Sequence, residues 1–208
     1  MEGNKYSLSE DMLVSNYSKY NKRLTSYLGE GVANEIIEEL GGSDAIMRAS
    51  YATTSETGMA YDGSFCRTIL NVATYAIKLN ELLPEELRVD KNSIVKVVLL
   101  SQIAKVLMFK KNDNEWEVNK RGMVYTFNDL EGALRVGARS TLIAMNAGVK
   151  FKEDEFEAMN IMDKQGESDN YSKYYSTTLS MVVRQANEIV SSLYRVKKYD
   201  KNATAQEE

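Results

Sequence analysis

The sequence predicts a mainly α-helical protein with one small β-hairpin near 115–127. Three observations carry that expectation. Proline, the residue least tolerated inside a helix, occurs once in 208 residues, as Pro84. Apolar residues recur at steps of three and four over most of the chain, which is the period of one helical face. The most apolar run, Ser93 to Phe109 (SIVKVVLLSQIAKVLMF), is apolar around nearly its whole circumference, as a buried central helix must be. Lys96, Gln102 and Lys105 break the run, and it is too short to span a membrane. In its middle sits a polar pair, Ser101-Gln102, which has to find hydrogen-bond partners if buried.

Taken in order, the first helix runs from about Ser9 to Leu28. Leu13, Tyr17, Tyr20, Leu24, Tyr27 and Leu28 draw its apolar stripe, Ser9 serves as N-cap, and Glu10 and Asp11 occupy the first turn. Gly29-Glu30-Gly31 breaks that helix. A shorter one follows through Val32, Ile36, Ile37 and Leu40, and Gly41-Gly42 ends it. Residues 51–63 (YATTSETGMAYDG) form a loop rich in small polar residues, of the length that often carries function. A long helix spans Ser64 to Leu83, with Phe65, Ile69, Val72, Ala73, Ala76, Ile77, Leu79 and Leu83 inward. Pro84 stops it, and Asp90 or Asn92 caps the central helix. EWEVNKRGMVYTF alternates around Asn119–Gly122 and gives the expected hairpin, with Trp116 and Val118 on its first strand. Helices are expected at about Asp129 to Ala147, at Glu153 to Ile161 and at Ser176 to Tyr199, with a polar loop from Gly166 to Asn170. The organisation expected is an amphipathic helix over 1–30, a helical domain over 31–199 and a polar tail over 200–208.

Composition bounds the function. Apolar residues make up 43% and charged residues 27%, which suits a soluble globular chain. A net charge of −4 argues against a protein that lives on phosphate backbones. Two local basic patches, Lys19, Lys22 and Arg23, and Arg195, Lys197 and Lys198, read first as solvated helix faces. The opening MEGNKYSLSED lacks the apolar core of a signal peptide, so the three glycosylation-type motifs at Asn16, Asn170 and Asn202 are discounted. The single cysteine, Cys66, rules out an internal disulfide. There is no histidine at all. Histidine-dependent triads and histidine-bearing zinc sites are therefore excluded, while a carboxylate-only metal site, a lysine base or a tyrosine acid stays open.

Two pieces of the chain resemble one family. GSFCRTILNVATYAIKLNELLPEELRVDKNSIVKVVLLSQIAKV looks like the core of HD-domain phosphohydrolases, which read roughly Gly-Ser-Leu-x-Glu-His-Ser-Leu-x-Val-Ala, then a helix, then Leu-Leu-His-Asp-Ile-Gly-Lys. Arg121-Gly122, Gly137-Ala138-Arg139-Ser140 and Arg184-Gln185-Ala186-Asn187 follow in family order, and the piece from Gly31 to Ser64 resembles the family's lead-in. The resemblance covers most of residues 30 to 195 and is closest to a divergent group of tailed bacteriophages and their bacterial hosts. It implies an HD-like helical bundle. It also implies that the metal ligands are gone: the first histidine falls on Thr68, the His-Asp pair on Ser101-Gln102, a downstream histidine near Tyr175 and the last aspartate on Asn187. Hydroxyls and amides cannot offset the cost of stripping water from a divalent ion, so no metal and no cofactor are expected. Thr68, Ser101, Gln102 and Asn187 are expected to hydrogen-bond to one another or to trapped water.

The leading expectation is a non-catalytic structural or interaction protein. Its thirteen tyrosines and ten methionines are residue types favoured at interfaces. The resemblance makes the concrete version a virion component in a neck, tail or portal-vertex ring, contacting other virion proteins and its own copies, with no membrane and no direct nucleic-acid role. A cytoplasmic location applies if no phage encodes it. The second expectation is a regulatory module that holds a nucleotide or nucleic acid without cleaving it, with Arg121, Arg135, Arg139 and Arg184 as candidate phosphate contacts. The last is an enzyme with relocated chemistry on carboxylates such as Asp62, Glu131 and Asp163, which show no recognisable spacing.

Overall fold

Helix α1 (Glu10–Leu28) begins where the Ser9 hydroxyl accepts a hydrogen bond from the Met12 N–H at 3.4 Å. Its buried residues are Leu13, Tyr20 and Leu24. Tyr20 pins the stripe to the core: its ring meets Phe65 edge-on at 5.7 Å, and its hydroxyl donates to the Leu99 carbonyl at 3.1 Å. Gly29, at φ +84°, ends α1 and lets α2 (Glu30–Glu39) turn back beneath it. A further helix, α3 (Ser43–Arg48), is too short to leave a periodic signal in the sequence. The computed structural model describes residues 8–162 and 177–204.

Helix α4 (Ser64–Leu82) buries Phe65, Ile69, Val72, Ala73 and Ala76 and stops two residues before Pro84. The connection to α5 (Lys91–Leu100) is clamped by Asn80, which is buried. Its amide donates to the Val89 carbonyl at 3.0 Å and accepts from the Val89 N–H at 2.9 Å. Asp90 then caps α5 through the Asn92 N–H. Every residue of α5 from Ser93 to Leu100 except Lys96 is buried. The helix is surrounded by α1, α4, α8 (Val136–Asn146), α9 (Glu153–Ile161) and α10 (Thr178–Thr204). Helix α10 lies along α4 and α9, and α8 lies on α9. The fold is thus mainly α, with the apolar α5 at its centre. No helix among the described residues is long and apolar enough to cross a membrane.

Three expectations need correction. The central helix is not continuous to Phe109. After Leu100 the chain tightens through Ser101–Ala104, with i→i−3 bonds from Ile103 N to Leu100 O and from Lys105 N to Gln102 O, before the short helix α6 (Lys105–Met108). The Ala104 N–H leaves the helical ladder because the Ser140 hydroxyl of α8 takes it at 3.0 Å. The hairpin exists, but its strands are β1 (Phe109–Lys111) and β2 (Tyr125–Phe127), paired Phe109 to Phe127 and Lys111 to Tyr125. The residues assigned to its first strand form helix α7 (Glu115–Arg121), with Trp116 and Val118 on it. Capping decides this: Asn114 accepts from the N–H groups of Trp116 and Glu117, the first turn is acidic, the last turn basic, and Gly122 closes it at φ +63°. The helix expected from Asp129 starts only at Val136. Arg139 reaches back to the Glu131 and Gly132 carbonyls, both at 2.9 Å, and holds the preceding segment as a loop. The loop expected over 166–170 lies outside the described residues.

Candidate functional site

The loop over 51–63 is built as a wall. The Ser64 hydroxyl accepts from the Tyr51 N–H at 2.9 Å and donates to the Met59 carbonyl at 2.6 Å, closing the loop on the start of α4. The loop is stitched to the hairpin excursion by Ser55 N to Gly122 O at 2.8 Å and Tyr125 N to Thr53 O at 3.0 Å. At its tip, Gly58 passes so close to α10 that an added Cβ would stand 2.9 Å from the Tyr194 carbonyl oxygen. This wall, the strand residues Phe109 and Phe127, the tight turn after α5 and the middle of α10 enclose a cavity of about 830 Å³.

Among the described residues, four cationic side chains line the cavity, Lys105, Arg135, Arg184 and Arg195, against one carboxylate, Glu188. Lys105 is nearly buried, with its ammonium 3.7 Å from the centre of the Tyr51 ring. The Tyr51 hydroxyl in turn donates to Asn187 Oδ1 at 2.5 Å. Arg184 is held by Glu188 one turn along α10 at 3.0 Å. Gln102, 1% exposed, also lines the cavity, and its Nε2 has no hydrogen-bond partner among the described residues. Gln102 thus brings a buried amide donor without a partner to the wall of a cationic cavity.

The positions that the resemblance assigns to lost metal ligands divide as follows. Gln102 and Asn187 share the cavity. Ser101 is buried beside it and donates to Met162 Sδ at 2.9 Å, and Met162 lines the cavity. Thr68 is fully buried on α4, and its Oγ1 has no partner among the described residues. The four do not bond directly to one another: Asn187 is taken by Tyr51 and Ser101 by Met162. Tyr175 lies outside the described residues, as does Asp163. Of the candidate phosphate contacts, Arg184 and Arg135 line the cavity. Arg121 is elsewhere, 3.5 Å from Glu117 on α7, and Arg139 is spent on the carbonyls before α8. Lys105 and Arg195 were legible only as an interruption of an apolar run and as a surface patch. Tyr51 carried no signal beyond its place in the small-residue loop.

The remaining titratable candidates are structural. Asp62 accepts a short hydrogen bond from Tyr125 and pairs with Lys111 at 2.8 Å, which fastens the hairpin to the loop. Burial, and then the Asp62 carboxylate, raise the Tyr125 hydroxyl far above its ordinary value. Burial also pushes the Tyr61 hydroxyl and the Cys66 thiol up, each to about 12. Cys66 is thus a protonated core residue, not a nucleophile. Glu131 contributes its carbonyl to Arg139. Among the described residues no group of three or more cysteines, aspartates or glutamates is placed to hold a metal ion. Comparison with family models, with curated proteins and with solved structures finds no match.

Proposed function

We propose that the chain is a non-catalytic, HD-like binding protein in which the place of the family's metal site has become a pocket for a phosphate-bearing small ligand. The observation that supports this reading is the lining of one cavity by Gln102, Asn187, Lys105, Arg135, Arg184 and Arg195. Guanidinium groups recognise phosphate through paired N–H donors, and Lys105 adds a nearly buried point charge. The groups at 68, 101, 102 and 187 are hydroxyls and amides, which hold a ligand without activating water. A nucleotide fits both the volume and the charge. Differential scanning fluorimetry with inorganic phosphate, pyrophosphate and nucleoside mono- and triphosphates tests this. At least one raises the melting temperature, the shift disappears in Arg184→Gln and Arg195→Gln, and the ligand is recovered intact after prolonged incubation with Mg²⁺ or Mn²⁺. A flat panel, or hydrolysis of the ligand, overturns the reading.

A second reading, a virion component of a neck, tail or portal-vertex ring, is favoured by a different observation. Trp116 and Phe127 are each 62% exposed on the excursion formed by the hairpin and α7. Large exposed aromatics of this kind anchor protein interfaces. Quantitative mass spectrometry of purified particles tests it. A copy number in simple proportion to the portal or capsid protein supports the ring, and absence from particles removes it.

A further inference from the structure

A groove of about 520 Å³ runs between the outer faces of α1 and α4, distinct from the cavity lined by Gln102. Helix α1 contributes Asn16, Lys19, Lys22, Arg23 and Tyr27 and helix α4 contributes Arg67 and Asn71. Four of these are cations and none is a carboxylate. The chain as a whole carries net charge −4, so the groove is a local reversal of its field. None of the four cations is in a salt bridge among the described residues, whereas Arg48, Lys91, Lys96 and Lys111 elsewhere each have a carboxylate. A row of unneutralised cations on packed helices repels itself, and a polyanion lying along it removes that repulsion. The lining includes the amides of Asn16 and Asn71 and an exposed aromatic, Tyr27. It lacks the buried apolar anchors that a protein partner would seek, since Leu70 is its only large aliphatic side chain. Cations that track a backbone, with an aromatic on which a base stacks, are the elements of single-strand recognition.

We propose that the α1–α4 groove binds the phosphate backbone of a single-stranded nucleic acid, with Lys19, Lys22, Arg23 and Arg67 on the phosphates and Tyr27 stacking on a base. Fluorescence anisotropy of a labelled oligothymidylate with the full chain tests it. Binding is expected at low salt, and four neutralised phosphates give a log–log salt slope of roughly −3. The double variant Lys22→Glu, Arg23→Glu weakens binding by at least about tenfold, and Tyr27→Ala by about tenfold at constant salt slope. Lys120→Glu, a charge reversal on α7 away from the groove, leaves the affinity unchanged. All these side chains lie on the surface of helices, so thermal melting confirms folded variants. Three results overturn the proposal. One is no anisotropy change with the full chain. Another is an equal loss in Lys120→Glu, which makes the effect one of net charge. The third is duplex bound as tightly as single strand with Tyr27→Ala silent. Self-association at low salt that Lys22→Glu, Arg23→Glu abolishes, without oligonucleotide binding, gives the groove instead to the acidic side chains of a second copy.

Discussion

Glu155 shows how one side chain ties two elements together. It is buried at the start of α9, where its carboxylate accepts from the Ser93 hydroxyl at 2.8 Å and the Lys152 N–H at 2.9 Å and pairs with Lys96 at 2.5 Å. Burial alone pushes its pKa up, but Lys96, the Lys152 N–H and Ser93 together outweigh burial and hold it below the ordinary value. The unfolded chain therefore binds this proton more tightly than the folded one. The stabilisation is complete above the ordinary carboxylate range, about 4.3, and is lost as pH falls through the depressed folded value. Urea unfolding across pH is expected to show wild-type stability falling in that acidic window. In Glu155→Gln that part of the profile flattens, and ~3 kcal/mol is lost at neutral pH, where Lys96 is left without its carboxylate. Gln102 is the opposite case. Its buried Nε2 lacks a partner among the described residues, so Gln102→Leu is expected to stabilise the ligand-free chain by ~1 kcal/mol in the same assay while abolishing the phosphate-dependent thermal shift.

Between helices, α8 and α9 approach closely at Gly137. A Cβ there would stand 2.8 Å from the Met159 carbonyl oxygen and 3.1 Å from Asn160 Cα, both backbone atoms that cannot rotate away. Gly137→Ala is expected to force α8 and α9 apart and to cost ~2 kcal/mol, read as a lower denaturation midpoint with an unchanged m-value. The same element scale shows what was legible in the sequence. Helix α1, with its full apolar stripe and the Ser9 cap, stands where periodicity and capping place it, and α9 covers the range expected of it. The errors fall where a distant residue decides the local structure. Ser140 takes the Ala104 N–H and breaks the central run, and Arg139 holds carbonyls that a longer α8 would have used. The α7 error has another source: EWEVNKR alternates as a strand does, while the Asn114 cap and the Gly122 stop make it a helix. Since α7 meets solvent with Trp116 outward, Trp116→Ala is expected to change stability by less than ~0.5 kcal/mol in chemical denaturation.

At the scale of the molecule, no single stretch of the sequence contains the cavity. Gln102 and Asn187 lie far apart in the chain, and no spacing rule joins them, yet they line one cavity because α10 packs back across the fold. The cations around them come from the start of α6, the loop before α8 and helix α10, an assembly that no sequence window contains. The degenerate-site reading makes a demanding prediction for this geometry. If Thr68, Ser101, Gln102 and Asn187 occupy former ligand positions, then Thr68→His, Ser101→His, Gln102→Asp and Asn187→Asp together recreate a divalent-cation site. Without metal the quadruple variant carries a carboxylate at the buried position 102 and a second on the same cavity at 187, and is expected to melt well below the parent chain. With Mn²⁺ at about a hundred times its dissociation constant, binding to the folded state alone returns ~2.7 kcal/mol, or roughly 5–10 °C for a chain of this size. A chelator then removes the gain, and elemental analysis after gel filtration finds one or two ions per chain. The triple variant that keeps Asn187 holds the metal more weakly, because it lacks the carboxylate from α10. A quadruple variant that is folded by near-ultraviolet circular dichroism and retains no metal means that the four positions do not converge as a ligand set. The resemblance then fails where it is most specific, while the cationic cavity and its phosphate assay stand on their own geometry.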